Sequence, residues 1–173
     1  KFRALNFKIG VIAIDPSSPF TGGAVLGDRV RMQEHSLDNS VFIRSVGSRG
    51  DLGGLSSSTS SIIKLFDIFG LDIVIIETVG VGQTELDIIK ISDCVLVTLV
   101  PEAGDGIQAM KAGLMEIGDI FVVNKADRGG ADKLAREIDY MISLKHDDLT
   151  RKTNVLTTQA ENDIGIDEKK RNY

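Results

Sequence analysis

Short apolar runs recur along the chain: Ile9 to Ile14, Val41 to Val46, Asp72 to Glu77, Cys94 to Val100, Asp119 to Asn124 and, more weakly, Asn154 to Thr158. They are rich in Val and Ile, and most are continuous rather than alternating. That pattern predicts strands covered on both faces, hence a parallel sheet. Three segments between them carry helical spacing. One has Ile62, Ile63, Leu65, Phe66 and Phe69, the next Ile107, Met110, Leu114 and Ile117, and the last Leu134, Ile138, Met141 and Ile142. Strand alternating with helix predicts βαβ units and a doubly wound α/β sheet. The serine run Ser56 to Ser61 reads as a capped helix start rather than a linker. No internal repeat or linker divides the chain, so a single domain is expected.

Composition narrows the function. A hydrophobic share of 42% and a charged share of 26% describe an ordinary globular domain. The net charge of −5 argues against non-specific nucleic-acid binding and against a polybasic membrane patch. No apolar run reaches the roughly 20 residues that cross a bilayer, and no secretory leader is expected. One cysteine and two histidines exclude an internal disulfide framework and argue against a zinc or nickel centre. Cys94 is expected to be a buried structural thiol. His35 and His146 stand in polar surroundings without metal-binding neighbours, and Arg44 and Arg49 could face phosphate, a partner or solvent.

In parallel α/β sheets ligands gather at the carboxyl ends of the strands. Polar residues follow strand after strand here: Asp15-Pro16-Ser17-Ser18, Glu77-Thr78-Val79-Gly80, Pro101-Glu102-Ala103-Gly104 and Asn124-Lys125-Ala126-Asp127. The last is the most specific. An ionised carboxylate only accepts hydrogen bonds. Guanine presents a ring N–H and an amino group side by side, so Asp127 can accept both, whereas adenine puts an acceptor opposite it. Asn124 can brace the loop and reach the base, and the Lys125 stem can lie over its flat face. The competing reading is a polar turn with Asp127 capping a helix.

The run Asp72 to Glu85 delivers Glu77 to a strand end, with Gly80 and Gly82 following. This is the pattern of a Walker B strand leading into a phosphate-sensing switch, with the carboxylate near magnesium and a glycine N–H open to a γ-phosphate. Asp15 and Asp28 could add carboxylates on the same rim, although Asp28 reads equally well as a helix cap before Arg29.

Five stretches together, IDPSSPFTGGAVLGDRVRM, RSVGSRGDLGGLS, DIVIIETVGVGQTELDI, LVPEAGDGIQAMKAG and VVNKAD, resemble the MeaB/ArgK family of GTPases, over roughly Gly10 to Glu168. The resemblance implies a three-layer P-loop NTPase domain with a mainly parallel sheet, incomplete at its amino terminus. It places a GTPase domain at 1–168, without the Walker A strand and loop, and a charged tail at 169–173. It implies GTP or GDP and Mg2+ as ligands. Asp15, Asp28 and Glu77 would surround the metal. Glu77, Gly80, Gln83 and Asp28 would serve catalysis, with Thr21 to Asp28 and Val79 to Glu85 as the two switches. Asn124, Lys125 and Asp127 would read guanine, and the backbone near Thr158, Gln159 and Ala160 would complete the pocket, although Gln159 departs from the usual Ser.

The implied role is a GTP-hydrolysing chaperone. It would gate cofactor loading and protection of an adenosylcobalamin-dependent mutase of the methylmalonyl-CoA type. The full-length protein would be a cytoplasmic homodimer, or lie in the mitochondrial matrix of a eukaryote. No G-x-x-x-x-G-K-[ST] loop occurs in the sequence. The chain by itself is therefore expected to bind GTP poorly and not to hydrolyse it. A nickel-insertion GTPase and a non-catalytic interaction domain are the alternative readings.

Overall fold

A computed structural model describes residues 1–15, 32, 35, 37–47, 57–78, 85–101, 113–145 and 154–166. The chain forms two compact units, Lys1–Ile91 and Ser92–Tyr173. Each contains a three-stranded parallel sheet.

In the first unit β1 (Ile9–Asp15) lies between β2 (Val41–Gly47) and β3 (Ile73–Thr78). Helix α1 (Ser57–Ile68) makes the crossover from β2 to β3. Its Ile62, Ile63 and Phe66 pack with Ile12, Ile14, Val46, Val74 and Ile76. The close approach of helix and sheet depends on Gly10. A Cβ there would run into the Phe66 ring and come within 2.9 Å of Leu71. Phe42 meets Phe66 edge-on at 5.3 Å between centroids. At the sheet's opposite end the Lys8 N–H donates to the Asp72 carboxylate at 2.7 Å, while the Asp72 N–H donates to the Lys8 carbonyl. These two bonds align the starts of β1 and β3. Arg3 pairs with Asp38 at 2.7 Å, and the Ser40 N–H donates to the same carboxylate. Arg3 therefore holds the Asp38 carboxyl below its ordinary pKa, with Ser40 adding to the effect.

In the second unit β5 (Ile120–Val123) lies between β4 (Leu96–Leu99) and β6 (Asn154–Thr157). Helix α2 (Ala131–Lys145) places Ala131, Leu134, Ile138 and Ile142 along one stripe. These pack with Val97, Leu99, Phe121 and Val123. Ile138, Phe121 and Val123 are fully buried.

The parallel α/β organisation matches the sequence reading. Coverage on both faces holds chiefly for the central strands β1 and β5. The flanking strands keep one more open face, where Phe42, Ile75 and Leu96 are 55%, 41% and 45% exposed. The broad apolar stripe expected on α1 is narrower than the pattern implied. Leu65 and Phe69 turn outward, because only the 62–63–66 row faces the sheet. Cys94 is exposed rather than buried. The strand begins two residues later, and the lead-in is held by a side chain: the Val95 N–H donates to the Asp119 carboxylate at 2.8 Å, so Cys94 is outside the ladder. Of the helix expected around Ile107 to Ile117, the described part is a short turn at Met115–Ile117. Among the described residues no helix is long and apolar enough to cross a membrane.

Candidate functional site

The carboxyl ends of β4, β5 and β6 converge on one loop, 124–130. Three backbone bonds seat it. The Asn124 N–H donates to the Leu99 carbonyl at 2.8 Å, the Thr158 N–H to Val123 at 2.9 Å, and the Ala126 N–H to Thr158 at 3.0 Å. The turn is then closed by the Arg128 N–H on the Lys125 carbonyl at 3.0 Å. Lys125 itself has a left-handed backbone, φ 56°. Few side chains accept that conformation, and it costs about 1–2 kcal/mol outside glycine. The surrounding bonds over-determine it.

Asn124 is oriented by two donors. The Ala160 N–H reaches its Oδ1 at 3.0 Å and the Thr158 hydroxyl reaches the same atom at 3.1 Å. A backbone N–H can only donate, so it decides which way round the amide sits. The carbonyl half is consumed by the protein, and Nδ2 remains a donor without a partner among the described residues. Asp127 is exposed, and its carboxylate has no partner among the described residues. Helix α2 begins only at Ala131. Asp127 therefore lies in the turn before that helix and does not cap it. An amide donor and a free carboxylate acceptor on one short loop can read opposite polarities along the edge of a flat heterocycle.

The segment after β6 completes this loop. Gln159 and Ile164 exchange both backbone bonds, at 3.1 and 3.2 Å, around a short helical turn at Ala160–Asn162. Gln159 also accepts from the Asn162 side-chain amide at 3.3 Å. The sequence reading placed Thr158, Gln159 and Ala160 here. It did not foresee the Thr158 hydroxyl as a partner of Asn124, nor Asn162 and Gly165 as closing residues. A glycine shortly after a polar run was the available signal.

In the first unit, register aligns Ala13 with Glu77 and Asp15 with Gly47. Asp15 and Glu77 are thus on adjacent strands, near the carboxyl end of each. Glu77 is exposed there. Carboxylate oxygens at two such positions have the donor chemistry that a hard divalent cation takes. Asp28, Gly80, Gln83, Arg49 and His146 lie outside the described residues.

Residues 1–172 match the family described as Methylmalonyl Co-A mutase-associated GTPase MeaB. The chain belongs to the MeaB family. A GTPase-named protein of Pyrococcus abyssi is 53% identical over 163 residues, covering 92% of this chain and 50% of its own. GTPase ArgK of Escherichia coli is 40% identical, with 94% and 50% covered. A solved structure of a LAO/AO transport system kinase superposes with a TM-score of 0.70 at 30% identity, covering 96% of this chain and 48% of that one. The chain spans about half the length of the curated relatives it matches.

Proposed function

We propose that the full-length protein binds GTP and hydrolyses it, and that this cycle serves an adenosylcobalamin-dependent mutase of the methylmalonyl-CoA type. The observation that carries the nucleotide reading is the loop at Asn124 to Asp127. Its amide is locked as a donor and its carboxylate is left open as an acceptor. Asn124 donates to an acceptor that every purine carries on its five-membered ring. Asp127 accepts from the ring N–H and amino group of guanine alone, and it is repelled by the acceptor that adenine presents. Lys125 covers the base, and Gln159 and Ala160 border the pocket.

Asp15, Asp28 and Glu77 would hold Mg2+, which when bound supplies charge neutralisation for the phosphates. The stretch Val79 to Glu85, with Gly80 and Gln83, is assigned to sensing the γ-phosphate and positioning the attacking water. We assign the phosphate loop to the remainder of the full-length protein. The outer edge of β3 is unpaired among the described residues. Its apolar sequence, with Ile75 41% exposed, suits one more parallel strand better than it suits water.

The mutase assignment is supported by the family description. It is also supported by a Caenorhabditis elegans relative named methylmalonic aciduria type A homolog, mitochondrial, which is 45% identical over 120 residues. In this proposal the protein gates cofactor loading and protects the mutase, acts as a homodimer, and works in the cytoplasm or, in eukaryotes, the mitochondrial matrix. The family match favours it over nickel insertion and over a non-catalytic domain. The test uses the full-length protein. Tight GDP binding with ADP bound far more weakly, Mg2+-dependent GTP hydrolysis, and co-purification with a cobalamin mutase are expected. Equal affinity for GDP and ADP would overturn the proposal.

A further inference from the structure

We propose that residues 158–165 form a clasp that sets the orientation of the Asn124 amide. Thr158 and Gly165 are then positioning residues for purine recognition. The inference rests on the guanine-nucleotide reading above. An asparagine amide can sit in two orientations related by a half-turn, and only one presents Nδ2 rather than Oδ1 to a ligand. Free in water, the two would interchange readily. Here the Ala160 N–H at 3.0 Å and the Thr158 hydroxyl at 3.1 Å both converge on Oδ1. Thr158 is 2% exposed, so its hydroxyl is held away from water and stays on Asn124.

The Ala160 N–H is placed by the loop itself. The paired Gln159–Ile164 bonds close it, and the Asn162 N–H on Gln159 at 3.0 Å and the Asp163 N–H on Ala160 at 3.3 Å tighten it. Asp163 and Gly165 take left-handed conformations, φ 59° and 74°. Gly165 then lies directly on the end of β6. A Cβ on it would run into the Thr157 carbonyl and come within 3.3 Å of the Thr158 Cα. Only glycine satisfies both the backbone angle and the contact. Adding one methyl group lifts the loop from the strand and withdraws the Ala160 N–H from Asn124. The clasp governs the contact common to all purines and leaves the discrimination made by Asp127 untouched.

The test compares GDP with inosine diphosphate, which lacks the amino group read by Asp127, on the full-length protein. Thr158→Val is expected to weaken both ligands by the same factor, about fivefold, as the loss of one neutral hydrogen bond predicts. Gly165→Ala is expected to weaken both by tenfold or more. Thr158→Ser, which keeps the hydroxyl, restores wild-type affinity. The ratio of GDP to inosine diphosphate affinity stays constant throughout. Should Gly165→Ala not fold, the two Thr158 variants decide. A wild type that fails to bind GDP overturns the guanine reading and the clasp with it. A wild type that binds GDP, with folded Thr158→Val and Gly165→Ala both within twofold of it, overturns the clasp alone. So does Thr158→Ser behaving like Thr158→Val, or a changed GDP to inosine diphosphate ratio.

Discussion

Replacing Asp127 by Asn tests base recognition with little change of shape. The carboxylate is exposed and has no partner among the described residues, so no internal contact is lost with it. Surface substitutions of this kind usually shift stability by less than about 0.5 kcal/mol, and the melting temperature should hold. Binding is different. The proposed contacts are two hydrogen bonds to an ionised acceptor, worth about 1.5–3 kcal/mol each. Their exposed setting halves that, leaving about 1.5–3 kcal/mol for the pair. At 1.4 kcal/mol per factor of ten, GDP affinity should fall about 10- to 150-fold. The variant's amide can donate to a carbonyl, so xanthosine diphosphate, with a carbonyl in place of the amino group, should become the preferred ligand. Inosine diphosphate, already missing one of the two donors, should lose less than GDP. Calorimetric titration of the full-length protein at fixed Mg2+ and pH gives all three constants. GDP affinity within threefold of wild type, with no gain for xanthosine diphosphate, would refute the assignment of Asp127 to the base.

Two further outcomes probe the scaffold of the first unit. Gly10→Ala forces a methyl group against Phe66 and Leu71; overpacking of this sort costs about 1–3 kcal/mol, and urea unfolding should show that loss with nucleotide selectivity intact. Asp38 should titrate below its ordinary value of 3.8. Because its folded pKa is depressed, the stabilisation is present above that value and lost as pH falls through the folded pKa. Arg3→Ala should return the NMR-detected titration toward the ordinary value, and an unchanged midpoint would show that Arg3 is not the cause.

The strands were legible because unbroken Val and Ile runs have few alternatives, and all six lie within about two residues of where the pattern put them. The 131–145 helix was equally plain, since Leu134, Ile138 and Ile142 fall on one stripe and all three are buried. Exposure was harder. Leu65, Phe69 and Cys94 look like core by residue type, but which apolar side faces the sheet depends on where α1 settles, a tertiary choice that local spacing does not encode. The base-reading loop showed itself in Asn124, Lys125 and Asp127 because each supplies a distinct chemical function. Thr158 did not, because its hydroxyl acquires meaning only when β5 and β6 lie side by side and bring it to Asn124, 34 positions away. Gly165 was hidden for the same reason: the neighbour that forbids a side chain is a strand backbone, not an adjacent residue.

The left-handed turn at Lys125 has a consequence for engineering. A glycine there would relax a conformation that costs a lysine about 1–2 kcal/mol. It would also delete the aliphatic arm assigned to the base. Robustness to heat and grip on the nucleotide therefore pull this position in opposite directions. A search for hardier variants of the protein would drift toward glycine at 125 and, on the proposed reading, discard part of its hold on the ligand.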